Sequence, residues 1–115
     1  MPSLNISSNV SLPKDVEVKV MLEASRIISE ELGKPMSYIT VSYQTVSMIW
    51  NGTGDPCASM RLSSLGLPVE ANAVISNRIA ALLDEHCGIP PNRYYLEFVS
   101  PERSHMGYNG KTFAG

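Results

Sequence analysis

The chain has little of what several common chemistries require. It holds two cysteines, Cys57 and Cys87, without C-x-x-C spacing, and two isolated histidines, His86 and His105. That inventory offers no thiolate–imidazole set for a metal, and no metal or cofactor is expected. Basic residues are scarce: nine Lys and Arg against eleven Asp and Glu give a net charge of −2. A chain so balanced carries no electrostatic footprint for nucleic acid or for an anionic membrane. Apolar runs last only a few residues, so membrane insertion is not expected. A basic start followed by an apolar stretch is missing as well, so no secretory signal peptide is expected. The cytoplasm is then the expected location, with secretion by a route without a signal peptide as the alternative. In that setting both thiols should be reduced, and the sequons Asn5-Ile6-Ser7 and Asn51-Gly52-Thr53 should stay bare. With 43% hydrophobic and 17% charged residues over 115 positions, the composition fits one globular domain, residues 1–115, with one core.

What is present is a duplication. Leu12-Pro13 recurs as Leu67-Pro68, Gly33 as Gly88 and Pro35 as Pro90, all at an offset of 55. The apolar positions between them coincide too: Val20 with Ile75, Ala24 with Ile79, Ile27-Ile28 with Leu82-Leu83. Downstream, Ile39, Val41 and Tyr43 fall on Tyr94, Leu96 and Phe98. Shared punctuation and shared periodicity at one offset mark two copies of one unit, near residues 2–45 and 57–100.

Each copy reads strand, helix, strand. Val16, Val20, Ala24, Ile27, Ile28 and Leu32 recur at three- and four-residue intervals, the pattern of one buried helical face. Pro13 and Pro68 suit the first turn, where a missing N–H costs nothing, and Gly33 and Gly88 suit a left-handed stop. Leu4 and Ile6 alternate with Ser3, Asn5 and Ser7, and Met60 and Leu62 alternate with Ser59, Arg61 and Ser63. That period of two belongs to half-buried strands. Two right-handed β-α-β units predict an α/β (α+β) domain, a four-stranded mixed sheet with both helices on one face. Asn51-Gly52 and Gly54-Asp55-Pro56 predict a turn after a short strand from Val46 to Trp50. The uncovered face would carry Ser3, Asn5, Ser7, Thr40, Ser42, Arg61, Tyr95 and Glu97. Sheets with parallel pairs are normally covered on both sides, so this face is either wetted or closed by other subunits around a solvated channel.

Pro2 is the residue with the most chemistry in it. A small second residue permits removal of Met1, which would leave a secondary ring amine at the chain start. With Met1 attached the same nitrogen is an amide and has no basicity. An α-amino group ordinarily titrates near about 7.7–8.0, and burial or a nearby lysine lowers that value. A fall from about 8 to about 6 raises the free-base fraction at neutral pH from roughly a tenth to roughly nine-tenths. Pro2 is thus a candidate general base. A Met-Pro start without chemical meaning is the plain alternative.

Several segments, taken in order, resemble the macrophage migration inhibitory factor family of the tautomerase superfamily. They are Met1-Pro2, Asn9-Val10, Gly33-Lys34-Pro35 with Tyr38, Asp55-Pro56-Cys57-Ala58, Ser63-Ser64-Leu65-Gly66, Arg93 with Tyr95, and Gly107-Tyr108-Asn109-Gly110 before Thr112-Phe113. The resemblance runs the full length. It implies a homotrimer whose sheets enclose a central channel. It also implies keto–enol tautomerisation of small aromatic α-keto acids such as phenylpyruvate, and of dopachrome-like compounds. By the same resemblance Pro2 is the base, and Lys34 holds the carboxylate or carbonyl oxygen of an enolisable substrate. Removing an α-proton builds negative charge on oxygen, which a fixed cation stabilises. Leu65 would contact substrate through its backbone, and Tyr95 would reach in from a neighbouring subunit. Tyr38, Met106, Tyr108 and Phe113 would form apolar and aromatic walls. Taken without the resemblance, Lys34 is equally a solvated lysine at a helix C-terminus, Tyr95 and Tyr108 surface aromatics, and Leu65 core.

The chain also departs from the family pattern. Met60 stands where some members complete C-x-x-C from the position of Cys57, so no dithiol activity is expected. Glu97 replaces an asparagine that contacts substrate, Tyr108 a tryptophan and Ser63 a histidine. A carboxylate at position 97 that faced the pocket would repel an acidic substrate. A second class of function is a cytokine-like interaction protein with a cell-surface receptor and a vestigial or secondary pocket.

Overall fold

A computed structural model describes residues 1–115. Six strands and two long helices follow in the order β1 (Ser3–Ser8), α1 (Lys14–Leu32), β2 (Thr40–Thr45), β3 (Ala58–Ser63), α2 (Val69–Cys87), β4 (Tyr94–Val99), β5 (Gly107–Tyr108) and β6 (Lys111–Thr112). The four-stranded sheet has the order β2-β1-β3-β4. Its outer pairs are parallel and its central pair, β1 with β3, is antiparallel. The duplicated β-α-β architecture expected from the sequence is the one observed.

Both helices start directly after the paired prolines, Pro13 and Pro68, and stop at left-handed Gly33 (φ 62°) and Gly88 (φ 65°). Those conformations cost a Cβ-bearing residue steric strain, which is why glycine ends both. Helix α1 buries Val20, Ala24, Ile27 and Ile28, and α2 buries Ala71, Ile75, Ile79, Leu82, Leu83 and Cys87. They meet Leu4, Ile6, Met60 and Leu62 from the sheet in one core. Each fully buried Leu or Ile contributes about 1.5–3 kcal/mol. Arg78 of α2 bridges Glu30 and Glu31 of α1, both at 2.8 Å, tying the helices together on the solvent side. Neither helix is long and apolar enough to cross a membrane.

The inward side chains match at two offsets. From the helices onward the spacing is 55, but in the leading strands Leu4, Ile6 and Ser8 correspond to Met60, Leu62 and Ser64, a spacing of 56. Four residues separate Ser8 from Pro13 and three separate Ser64 from Pro68, which absorbs the slip.

The expected strand from Val46 to Trp50 does not form. Val46 N–H donates to Ser8 O at 2.8 Å as a last rung beyond β2, and past that point β1 has ended and no neighbour remains. The turn itself is as expected: Trp50 and Thr53 exchange two backbone bonds of 3.1 Å around Asn51 (φ 53°) and Gly52 (φ 73°). Positive φ at both central residues is the hairpin geometry that Asn-Gly favours. Asn109-Gly110 makes the same turn between β5 and β6, a small separate hairpin that the strand patterning did not mark.

Ser3, Asn5, Ser7, Thr40, Ser42, Arg61, Tyr95 and Glu97 lie on the side of the sheet away from the helices. Asn5 accepts from Ser42 at 2.8 Å, and Arg61 pairs with Glu97 at 2.7 Å. Strands β2 and β4 are edges.

Candidate active site

Because β1 and β3 run antiparallel, the start of β1 lies beside the end of β3, Ser3 opposite Ser63. The loop after α1 delivers Lys34 to Tyr38 to that same end, and Thr40 N–H donates to Pro2 O at 3.1 Å. The resulting cleft, about 370 Å³, is lined by Met1, Lys34, Tyr38, Leu65, Gly66, Arg103 and Phe113. A volume of that order falls within the usual range for small-ligand sites, roughly 300–1,000 Å³.

Each wall has a local cause. Past the Gly33 stop, the Lys34 N–H donates to Ser29 O at 3.2 Å, and Ser29 Oγ donates back to Lys34 O at 2.5 Å. The Lys34 backbone is thereby fixed while its side chain is exposed. Pro35 then turns the chain into a short 3₁₀ segment ending at Tyr38. Leu65 and Gly66 form the turn that leaves β3. Phe113 is held by its N–H donating to Met106 O at 3.0 Å and by stacking on Tyr108, centroids 6.1 Å apart. Arg103 places its guanidinium over the Phe113 ring, 5.9 Å from the centroid.

Pro2 is fully buried behind Met1. Its nitrogen is an amide here, and the amine at the mouth of the cleft belongs to Met1. Burial first, and the Lys34 charge second, hold that amine below its ordinary value.

Of the residues singled out in the sequence, Lys34, Tyr38, Leu65 and Phe113 come together at one cleft, with Pro2 directly behind it. Met106 and Tyr108 do not line it but hold Phe113. Tyr95 and Glu97 are elsewhere within the protomer. Tyr95 is 76% exposed and packs on Trp50, centroids 4.7 Å apart. Glu97 shares a polar groove on the open sheet face with Asn5, Ser7, Ser59, Met60 and Arg61. Sequence patterning missed Arg103, and it marked Gly66 only as part of a motif and not as a lining residue. Arg103 reaches the cleft only because the C-terminal segment folds back, and the one advance sign of that return is Asn109-Gly110.

Both cysteines are free and buried. Burial pushes the Cys87 thiol up to about 11, away from reactivity.

The cleft brings an amine of weakened basicity, a cation and aromatic walls together, and the chain's relatives share its frame. The family model described as macrophage migration inhibitory factor (MIF) matches residues 1–114. A macrophage migration inhibitory factor homolog of Brugia malayi is 34% identical over 98% of this chain and 99% of its own. One from Trichuris trichiura is 36% identical over 98% of this chain and all (100%) of its own. The crystal structure of the macrophage migration inhibitory factor-like protein of Entamoeba histolytica superposes with a TM-score of 0.92 at 25% identity, covering 97% of this chain and 98% of that one. The chain belongs to the macrophage migration inhibitory factor family, in the tautomerase superfamily.

Proposed function

We propose that the protein is a keto–enol tautomerase of small aromatic α-keto acids such as phenylpyruvate, and of dopachrome-like compounds, with the Pro2 amine as base once Met1 is removed. The observation that carries this is the start of β1 opening beside Lys34 in an aromatic-walled cleft, where burial and the Lys34 charge lower the pKa of the Met1 amine and would act in the same direction on a Pro2 amine in its place. In the forward direction the neutral ring nitrogen takes the proton from the carbon next to the carbonyl. The electron pair left on carbon moves into the new C=C bond, and the carbonyl oxygen gains negative charge opposite the Lys34 ammonium. The protonated amine then returns its proton to oxygen directly or through water, or to carbon in the reverse reaction. Tyr38 and Phe113 supply flat apolar surface for the substrate ring.

The test pairs intact mass with a spectrophotometric assay on phenylpyruvate. Protein beginning at Pro2 should turn over, while Pro2→Ala and protein retaining Met1 should lose about 100-fold or more, the usual size of a general-base contribution. Full activity in a preparation whose mass proves that Met1 is retained would overturn the assignment of Pro2.

We also infer a homotrimer in which each cleft is completed by its neighbour. Two free sheet edges, a polar open face, and Ile49 and Tyr95 exposed at 72% and 76% make a poor monomer surface. Tyr95 and Glu97, on β4 away from the protomer's own cleft, are the residues a neighbour would supply. Sedimentation should give three copies; a monomer at micromolar concentration would remove the shared site. The family name carries a cytokine-like role with a cell-surface receptor as a second reading. Receptor binding that survives Pro2→Ala would separate the two roles, and binding lost along with activity would join them.

A further inference from the structure

Two basic side chains and no acidic one line the cleft, beside the terminal amine. Lys34 and Arg103 line it together with Met1, Tyr38, Leu65, Gly66 and Phe113. Lys14, Arg26, Arg61 and Arg78 are engaged in ion pairs, whereas Lys34 and Arg103, like Lys19, Arg93 and Lys111, have none; of these unpaired cations only Lys34 and Arg103 line the cleft. Glu102, next to Arg103 in sequence, makes no ion pair with it. A chain of net charge −2 thus concentrates two uncompensated positive charges at one concave site. The Arg103 guanidinium rests over the face of Phe113, 5.9 Å from the ring centroid. That contact orients the group through its plane and leaves its N–H fork free for a planar acceptor.

A single carboxylate on the substrate matches one of these cations and leaves the other without a counter-charge. Resting on the tautomerase reading of this cleft, we propose that Arg103 is a specificity-determining residue that selects dianionic substrates. These are enolisable aromatic α-keto acids bearing a second carboxylate on the ring, with Lys34 at the keto-acid end and Arg103 at the ring carboxylate. Arg103 touches the far end of the substrate and takes no part in proton transfer, so its effect falls on KM.

The experiment uses the full chain, processed to begin at Pro2, with wild type, Arg103→Gln and Arg103→Lys. Turnover is measured on phenylpyruvate and on para-carboxyphenylpyruvate. Binding of benzoate and terephthalate, which cannot enolise, is measured by calorimetry. Wild type should show a KM about tenfold lower for the dianion, the size of one charge-assisted hydrogen bond and about 1.4 kcal/mol. Arg103→Gln should abolish that preference by raising KM about tenfold more for the dianion than for phenylpyruvate, and Arg103→Lys should keep part of it. Terephthalate should bind better than benzoate by a similar factor, and only while Arg103 is present. Turnover of phenylpyruvate with equal effects of Arg103→Gln on both acids would overturn the dianion selectivity and leave the tautomerase reading standing. An Arg103-dependent preference for terephthalate without turnover of either keto acid would do the reverse.

Discussion

The two ends of the central sheet are built from equivalent connections of the duplicated unit, yet one end is a clasp and the other a cleft. At the clasp end the residues after α2 and after β1 turn their polar groups onto the loop from Trp50 to Pro56. Arg93 donates to Trp50 O at 2.8 Å, Asp55 O at 2.9 Å, Thr53 Oγ1 at 3.1 Å and Pro56 O at 3.3 Å. Asn9 donates to Gly54 O and Asp55 O, both at 3.0 Å, and accepts from Cys57 N–H at 2.9 Å. At the cleft end the position equivalent to Arg93 is Tyr38, half exposed, and the position equivalent to fully buried Ile89 is Lys34. The helix-stop glycines preceding both are alike, with φ values of 62° and 65°.

The difference lies in what is left unsatisfied. The clasp spends the Arg93 donors and the Asn9 amide on backbone carbonyls, each net hydrogen bond to a charged donor contributing about 1.5–3 kcal/mol. The cleft leaves the Lys34 ammonium and the Arg103 N–H donors without hydrogen-bond or ion-pair partners, so their charge is left for a ligand. Duplication supplied one frame twice; the side chains after each helix decided which end became structure and which became site.

Substituting one residue at each end breaks this comparison most directly. Lys34→Ala should cost about 100- to 1,000-fold in kcat/KM on phenylpyruvate, the range for removing one transition-state charge partner. Its melting temperature should not move, because the side chain is exposed and unpaired. The same variant should raise the pKa of the amine at the cleft mouth, since the Lys34 charge is the second cause, after burial, of its depression. In protein that begins at Pro2 the lysine charge acts on the ring amine in the same direction, so activity, which rises with pH as the base deprotonates, should begin to rise later once Lys34 is gone. NMR titration of the terminal residue reads the shift, and no change would place Lys34 away from the amine.

Arg93→Ala is the mirror experiment. Stability should fall by about 1–3 kcal/mol, and limited proteolysis should find new cuts between residues 46 and 57. Activity per folded molecule should stay within about twofold, since Arg93 touches nothing at the cleft. A large loss of kcat with stability intact would show that the two ends are coupled.

The sequence made the frame legible because its signals are local. Pro13 and Pro68, Gly33 and Gly88, and the apolar face between them mark both helices, and alternation around Leu4, Ile6, Met60 and Leu62 marks two strands and their inner side. Val46–Trp50 misled because a short apolar segment before a turn can suit a strand without reporting whether a partner strand extends that far. The one-residue slip ahead of Pro13 is hidden for a related reason: both registers put apolar residues next to polar ones. The cleft was legible only in part. Lys34, Tyr38 and Leu65 sit at punctuation the repeat exposes, whereas Arg103 arrives through a tertiary return of the C-terminal segment that no period announces. Arg93 and Asn9 were noticed as markers, but their hydrogen-bonding work depends on a loop far away in sequence.

Glu97 gives the smallest expected effect and sharpens the comparison at the open face between the two ends. A carboxylate near 97 facing an α-keto acid at about 4 Å would repel it by roughly 4 kcal/mol at an effective dielectric near 20. In the protomer, however, Glu97 accepts from Arg61 Nε at 2.7 Å, on a surface where the two side chains are 58% and 64% exposed. The neighbouring guanidinium cancels most of the field, and solvent screens the remainder. Exposed pairs of this kind contribute about 0–1 kcal/mol to stability. Glu97→Asn should therefore leave the melting temperature nearly unchanged and lower KM for phenylpyruvate by less than about threefold, well short of what an unscreened charge would produce. A neutral enolisable ester should show no change. A tenfold or larger drop confined to the acid would mean that, in the assembled protein, Glu97 leaves Arg61 and turns into a neighbour's cleft. Arg61→Gln measured alongside decides the point: if Arg61 is the screen, removing it should raise KM for the acid while Glu97 is present and have no effect once Glu97 is Asn.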